Sequence, residues 1–134
     1  MSSSYGLTLQ TALFARLSAD AALGAVASVH DAPPDTLPLD STYVLVGEED
    51  ARYARGPSLI EHRITVEVVS PADGFATAKA AAQAVAEALA TPPALARGRI
   101  ASLRLSREQA RRGTGAERRR IIMTFQALIE ADNI

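Results

Sequence analysis

The sequence contains no cysteine, which excludes disulfides, thiolate-bound metals and thiol catalysis and leaves the redox compartment open. Aromatic residues make up only 4% of it, whereas nucleic-acid modules usually interleave their basic side chains with stacking aromatics. Lysine occurs once, as Lys79, beside thirteen arginines; with the abundant alanine this reads as high-GC coding rather than chemistry. No apolar run approaches the roughly 18 residues of a membrane span. The opening stretch MSSSYGLTLQTALFARLSAD lacks the basic and long apolar regions of a signal peptide. A soluble protein assembled in the cytoplasm, with no membrane partner, is the simplest expectation.

Chemistry-bearing patterns are equally scarce. His30 and His62 are the only histidines, and neither has the neighbouring ligand that a metal helix requires. Ser2 to Ser4 read as a frayed terminus, and no G-x-S-x-G elbow presents a nucleophile. Gly113-Thr114-Gly115 superficially resembles a phosphate-binding loop. It lacks the lysine of a P-loop, and the element after it reads as a strand rather than a helix. This inventory predicts no enzyme, no cofactor and no bound metal.

What the chain does have is apolar content and segregated charge. With 134 residues, 48% of them hydrophobic, it is long enough for one domain with one core. The expected domain spans 1–134, with short frayed ends at 1–6 and 131–134. The formal net charge is -1, so the chain as a whole is no polycation. Yet nine arginines and two acids lie between Arg97 and Arg120, while the first fifty residues carry seven acids and one arginine. Such polarity suits head-to-tail contact between unlike faces as well as it suits DNA.

Periodicity organises the rest. Leu9, Leu13 and Leu17 predict an amphipathic helix, and Ala21 to Val29 adds a short helical turn before the proline-rich loop HDAPPDTLPLD. STYVLVGEED reads as a buried strand ending at Gly47 and an acidic turn. EHRITVEVVS alternates as a half-buried strand, with Ile64, Val66 and Val68 on one face. Asp73 is placed to cap a helix from about Phe75 to Ala90, whose Phe75, Ala78, Ala82, Val85 and Leu89 mark the packed side. Ala101, Leu103 and Leu105 alternate in a third strand; Ile121, Met123, Phe125, Ala127 and Ile129 do so in a fourth. The expected fold is a single α+β domain in the order helix, strand, strand, helix, strand, strand. Its sheet is four-stranded and largely antiparallel, with the helices on one face.

Between the last two strands lies REQARRGTGAERRR, six arginines in fourteen positions, read as the long basic loop of a hairpin with glycines at its tip. Three readings compete for its use. A solvated loop is the plainest. A contact surface for an acidic partner is the second, because Arg104, Arg118 and Arg120 extend the charge along the strands themselves. The third is a small nucleic-acid-binding module gripping phosphate backbones; the acidic net charge and missing aromatics weigh against sequence readout. Glu48, Glu49 and Asp50 can be read as a cation site, or as a solvated turn and electrostatic partner for arginines.

The order of segments also resembles a family. LSADAALGAVASVHDAPP, then YVLVGEED, then EHRITVEVVSPADGFATAKAAAQAVAEAL, then the basic hairpin closed by RRRIIMTFQALIE, look like the tail terminator, or tail completion, proteins of long-tailed bacteriophages. The likeness runs from about Leu7 to Glu130 and is closest to versions carried by gene transfer agents and prophages. It implies a non-enzymatic structural protein located at the neck of a phage-like particle. Such proteins form a ring, usually of six subunits, on the last ring of the tail tube, end tube growth and give the head connector its docking surface. The implied partners are further copies of the chain, the tube protein and the connector, with non-specific contact to DNA passing through the lumen. In that setting Arg107, Arg111, Arg112, Arg118, Arg119 and Arg120 are expected to work between subunits or rings, against an acidic turn at Glu48, Glu49 and Asp50.

Overall fold

The computed structural model describes residues 4–32, 41–53, 56, 58–71, 75–112 and 119–132. The described elements follow in the order α1 (Gly6–Ala19), α2 (Ala21–Gly24), β1 (Ser28–His30), β2 (Tyr43–Arg52), β3 (Leu59–Ser70), α3 (Ala76–Ala88), β4 (Arg99–Arg112) and β5 (Arg119–Glu130). One sheet takes the strands in the order β1-β2-β3-β5-β4, with β1 parallel to β2 and every other neighbour antiparallel. β3 and β4 therefore run the same way with β5 between them, α3 forming the crossover of a split βαβ unit.

The expected α+β class holds, and the four-stranded sheet needs correction to five. The added strand, Ser28–His30, pairs with Tyr43–Leu45; three residues are too few for alternation to reveal, and they fall where a helical turn was expected to continue. Helix α2 stops at Gly24. β2 does not end at Gly47 but runs to Arg52 through a bulge between Gly47 and Glu49. The basic stretch is mostly not a loop either. Arg107 to Arg112 belong to β4 and Arg119 and Arg120 to β5, because alternating polar residues continue an edge strand as readily as apolar ones. The Gly113-Thr114-Gly115 tip, Asp73 and most of the proline loop lie outside the described residues.

The core sits between one face of the sheet and the helices. Leu9, Leu13 and Leu17 of α1 are buried, as are Ile60, Ile64, Val66 and Val68 of β3 and all five alternating residues of β5 from Ile121 to Ile129. Helix α3 buries Ala78, Ala81, Ala82, Ala84 and Val85. A stripe so short in side chain lets the helix axis approach β3 and β5 closely. Arg16 ties the two long helices together by donating to the carbonyls of Ala88 at 3.1 Å and Thr91 at 2.8 Å, groups left without partners at the end of α3. At the other end of α1, buried Tyr5 lies under the Arg97 guanidinium, 4.0 Å from its ring centroid, and accepts from the Asp132 N–H at 3.0 Å. Gly98 makes this possible. Its φ is +71°, and a Cβ there would stand 2.7 Å from the Glu130 carbonyl oxygen and 2.8 Å from the Tyr5 ring.

The tight seat of α3 is testable. Ala82→Leu adds three carbons where the helix meets the sheet, and should cost about 1–3 kcal/mol through overpacking. A thermal melt should fall by several degrees; an unchanged melt would show that Ala82 has room around it.

Candidate functional site

With the helices on one face, the other face of the sheet is open, and strand alternation decides which side chains it carries. β3 contributes Glu61, Arg63, Thr65 and Glu67; β5 contributes Arg120, Ile122, Thr124, Gln126 and Leu128; β4 contributes Ser102, Arg104, Arg107, Gln109 and Arg111. The result is a ladder of charged and amide groups. Arg104 donates to Gln126 Oε1 at 2.6 Å, Arg99 pairs with Glu130 at 2.7 Å, and Arg120 pairs with Glu67. Gln109 lies between Arg107 and Arg111 with its amide 3.0 Å from both guanidinium groups, the oxygen accepting.

Towards the end of the hairpin this pairing gives way. Arg111 stands opposite Arg120 and Arg112 opposite Arg119 on consecutive rungs. Like charges facing each other across an antiparallel pair are destabilising. Arg120 is compensated by Glu67 and Arg119 lies 5.5 Å from the Phe75 ring centroid, while Arg111 and Arg112 are exposed and have no acid opposite them.

The acidic stretch is divided by the β2 bulge. Before it, Val44 and Val46 face the helices; after it, Glu49 pairs with Ile64 and Ala51 with His62 on that same inner side. The extra residue, Glu48, thereby shifts the alternation by one. Glu49 consequently turns inward, where its Oε2 accepts from Nδ1 of buried His62 at 3.0 Å and lies beside Gly6 at the start of α1. His62 Nε2 is buried without a partner among the described residues. Glu48 is held at the backbone, its carbonyl accepting from Thr65 Oγ1 at 2.9 Å. Asp50 returns to the open face opposite Arg63. Among the described residues no group of three or more His, Asp or Glu side chains is placed to hold a metal ion.

The residues expected to form the contact surface thus divide. Arg107, Arg111 and Arg120 share the open face; Arg112 and Arg119 share the opposite one; Arg118 lies outside the described residues. Glu48, Glu49 and Asp50 are all exposed along the strand, but the Glu49 carboxylate is drawn in as the partner of His62. The acidic stretch does not meet the arginine end within one chain. Asp50 sits on the rung of Arg63, Gln126 and Arg104, seven residues along β4 from Arg111, about 23 Å at the rise of a strand. Arg104 was expected to extend the charge along its strand and does so on the open face, whereas Arg63, Glu67 and Gln126 were not singled out as contact residues. Their signal was present as the polar half of each alternating strand.

A family model described as Tail completion protein gp17 matches residues 11–130. Among solved structures, a chain from the virion of a native gene transfer agent particle has 40% sequence identity over 97% of this chain and 100% of its own length, with a TM-score of 0.86. No curated protein matches by sequence.

The divided acidic stretch predicts unequal substitutions. Glu49→Ala leaves the buried His62 imidazole without its acceptor and should cost about 1–3 kcal/mol, whereas Asp50→Ala on the open face should stay within roughly 0.5 kcal/mol of the parent. Urea unfolding of both variants measures the difference; equal stabilities would mean that the His62 contact contributes nothing.

Proposed function

The chain belongs to the tail completion protein family, structural and non-enzymatic components of phage-type tails, and from that premise we propose that it forms a ring at the end of the tail tube. The ring, of six subunits, sits on the last tube ring in the neck of the particle. It stops tube growth and offers its free side to the head connector. The observation that carries this reading is the extent of the likeness to the gene transfer agent chain, which spans both proteins almost end to end. The cationic end of the β4–β5 hairpin, with arginine opposite arginine on two rungs, supports a contact with another subunit or an adjoining ring. A partner that neutralises those charges offsets their mutual repulsion. The lumen, where phosphate backbones pass, is the other use for exposed Arg111 and Arg112, with contacts independent of base sequence.

Particles made without this protein should have tails of uncontrolled length, or heads that do not join tails. Electron microscopy reads this directly, and normally joined tails of normal length would refute the proposal.

The hairpin end has its own test. Reversing charge at Arg111, Arg112 and Arg118 to Glu should abolish assembly or tail joining while leaving circular dichroism and melting of the subunit nearly unchanged, because exposed charges such as those of Arg111 and Arg112 contribute little to the fold. Normal assembly combined with loss of a salt-sensitive affinity for DNA would reassign the arginines to the lumen.

A further inference from the structure

The five-stranded sheet has two open edges of opposite charge. At one, the whole of β4 lacks an outer strand among the described residues, and over Arg99–Arg112 it carries five arginines against the single acid Glu108. At the other, β1 covers only Tyr43–Leu45, so Val46–Arg52 of β2 has no outer strand among the described residues. That uncovered length holds Glu48, Glu49 and Asp50 against Arg52. The segregation of charge along the sequence has become a segregation between sheet edges.

Strand direction makes the two edges compatible. β2 and β5 run one way, β3 and β4 the other. Rotating a copy about an axis along the strands preserves these directions, so its β4 arrives antiparallel to β2 of the next copy, the commoner pairing. The levels match as well. Asp50, Arg63, Gln126 and Arg104 form one continuous rung across the sheet, and Gly47, Thr65, Thr124 and Arg107 form another. Arg104 and Asp50 both lie on the open face. Leu105, on the exposed edge, is one of the few large apolar side chains left 37% accessible, and a strand laid alongside it would cover it.

We propose that a second copy of this chain adds its β4 edge antiparallel to the open Val46–Arg52 edge of β2, bringing Arg104 and Arg107 of one copy against Asp50 and Glu48 of the next. The contact is heterologous, so its repetition closes into a ring when the rotation per step allows; in this the inference rests on the ring proposed above and names the surface that joins it. Backbone hydrogen bonds supply the pairing and the unlike charges select direction and level. The bulges of β4 at Ile100/Ser102 and Leu105/Arg107 discourage pairing with an arbitrary strand, and leave the acidic, similarly bulged β2 edge as the matched partner.

Because the chain has no cysteine, a covalent test is clean. Arg52→Cys with Ser102→Cys puts one thiol on each edge, on the shared rung of Arg52, Glu61, Leu128 and Ser102. The two positions are three strand spacings apart within a subunit, about 14 Å, beyond disulfide reach. Oxidation, or a short bis-maleimide that tolerates a register step, should give a ladder of covalent multimers on denaturing gels from purified full-length protein and from particles. Neither single variant should ladder. Adding Arg104→Glu and Arg107→Glu should lower multimer yield at least tenfold, and further adding Glu48→Arg and Asp50→Arg should restore it. If the first pair compromises folding by circular dichroism, Asp50→Cys with Arg104→Cys repeats the test on the neighbouring rung. Rings visible by electron microscopy without a ladder would overturn the edge contact and leave the ring standing. Monomers by light scattering, together with particles holding no ring of this chain, would overturn both.

Discussion

The antiparallel seam between β3 and β5 is the constraint on which the rest of the molecule depends. It runs without a slip from Leu59 opposite Glu130 to Ser70 opposite Arg119. That register places Ile60, Ile64, Val66 and Val68 beside Ile121, Met123, Phe125, Ala127 and Ile129 on one face, all of them buried. A shift of one strand by a single residue would carry its apolar set to solvent and its charged set into the core. For β3 that set includes Arg63 and Glu67, so alternative registers are heavily penalised. The same alternation therefore builds the core and the charged open face.

The outer elements are organised by that seam. Helix α3 packs on β3 and β5 through alanines, Arg16 of α1 satisfies the carbonyls at the end of α3, and Tyr5 locks the start of α1 over Gly98. On the flanks the pleat is interrupted: the β2 bulge turns Glu49 inward to His62, and the two β4 bulges break the regularity of an otherwise exposed edge. These irregularities lie away from the central pair. There, local deviations alter which side chains face outward without disturbing the apolar stripe.

For a structural tail protein this arrangement is economical in a physical sense. Nothing in such a role demands a cleft or a poised nucleophile; it demands surfaces that recur at fixed positions when copies are repeated. A sheet covered on one side presents such surfaces on its open face, at its edges and at its hairpin end. The charge pattern distinguishes them. Arg99, Arg104 and Arg120 are paired with Glu130, Gln126 and Glu67, whereas Arg111 and Arg112 at the hairpin end stand opposite other arginines.

Much of this was legible in the residues themselves. The leucines of α1, the alanines of α3 and the alternation in β3 and β5 report burial directly, because periods of 3.6 and 2 are properties of the local backbone. The order of segments was enough to mark the family resemblance, and the arginine and acid runs are plain in the letters. Position relative to other strands was not. Ser28–His30 became a strand only because Tyr43–Leu45 lies beside it; the acidic run proved to be a bulged strand because β3 continues alongside, and Arg107 to Arg112 proved to be strand because β5 does. Glu49 and Asp50 are adjacent in sequence and chemically alike, yet one binds a buried histidine and the other stands on the open face. The sequence by itself determined which segments bury apolar surface and how charge is distributed along the chain, since both follow from local periodicity and composition. Only the tertiary structure decided which edge each charge occupies and which face it meets, because register, bulges and strand order are set by hydrogen bonds between residues far apart in the chain.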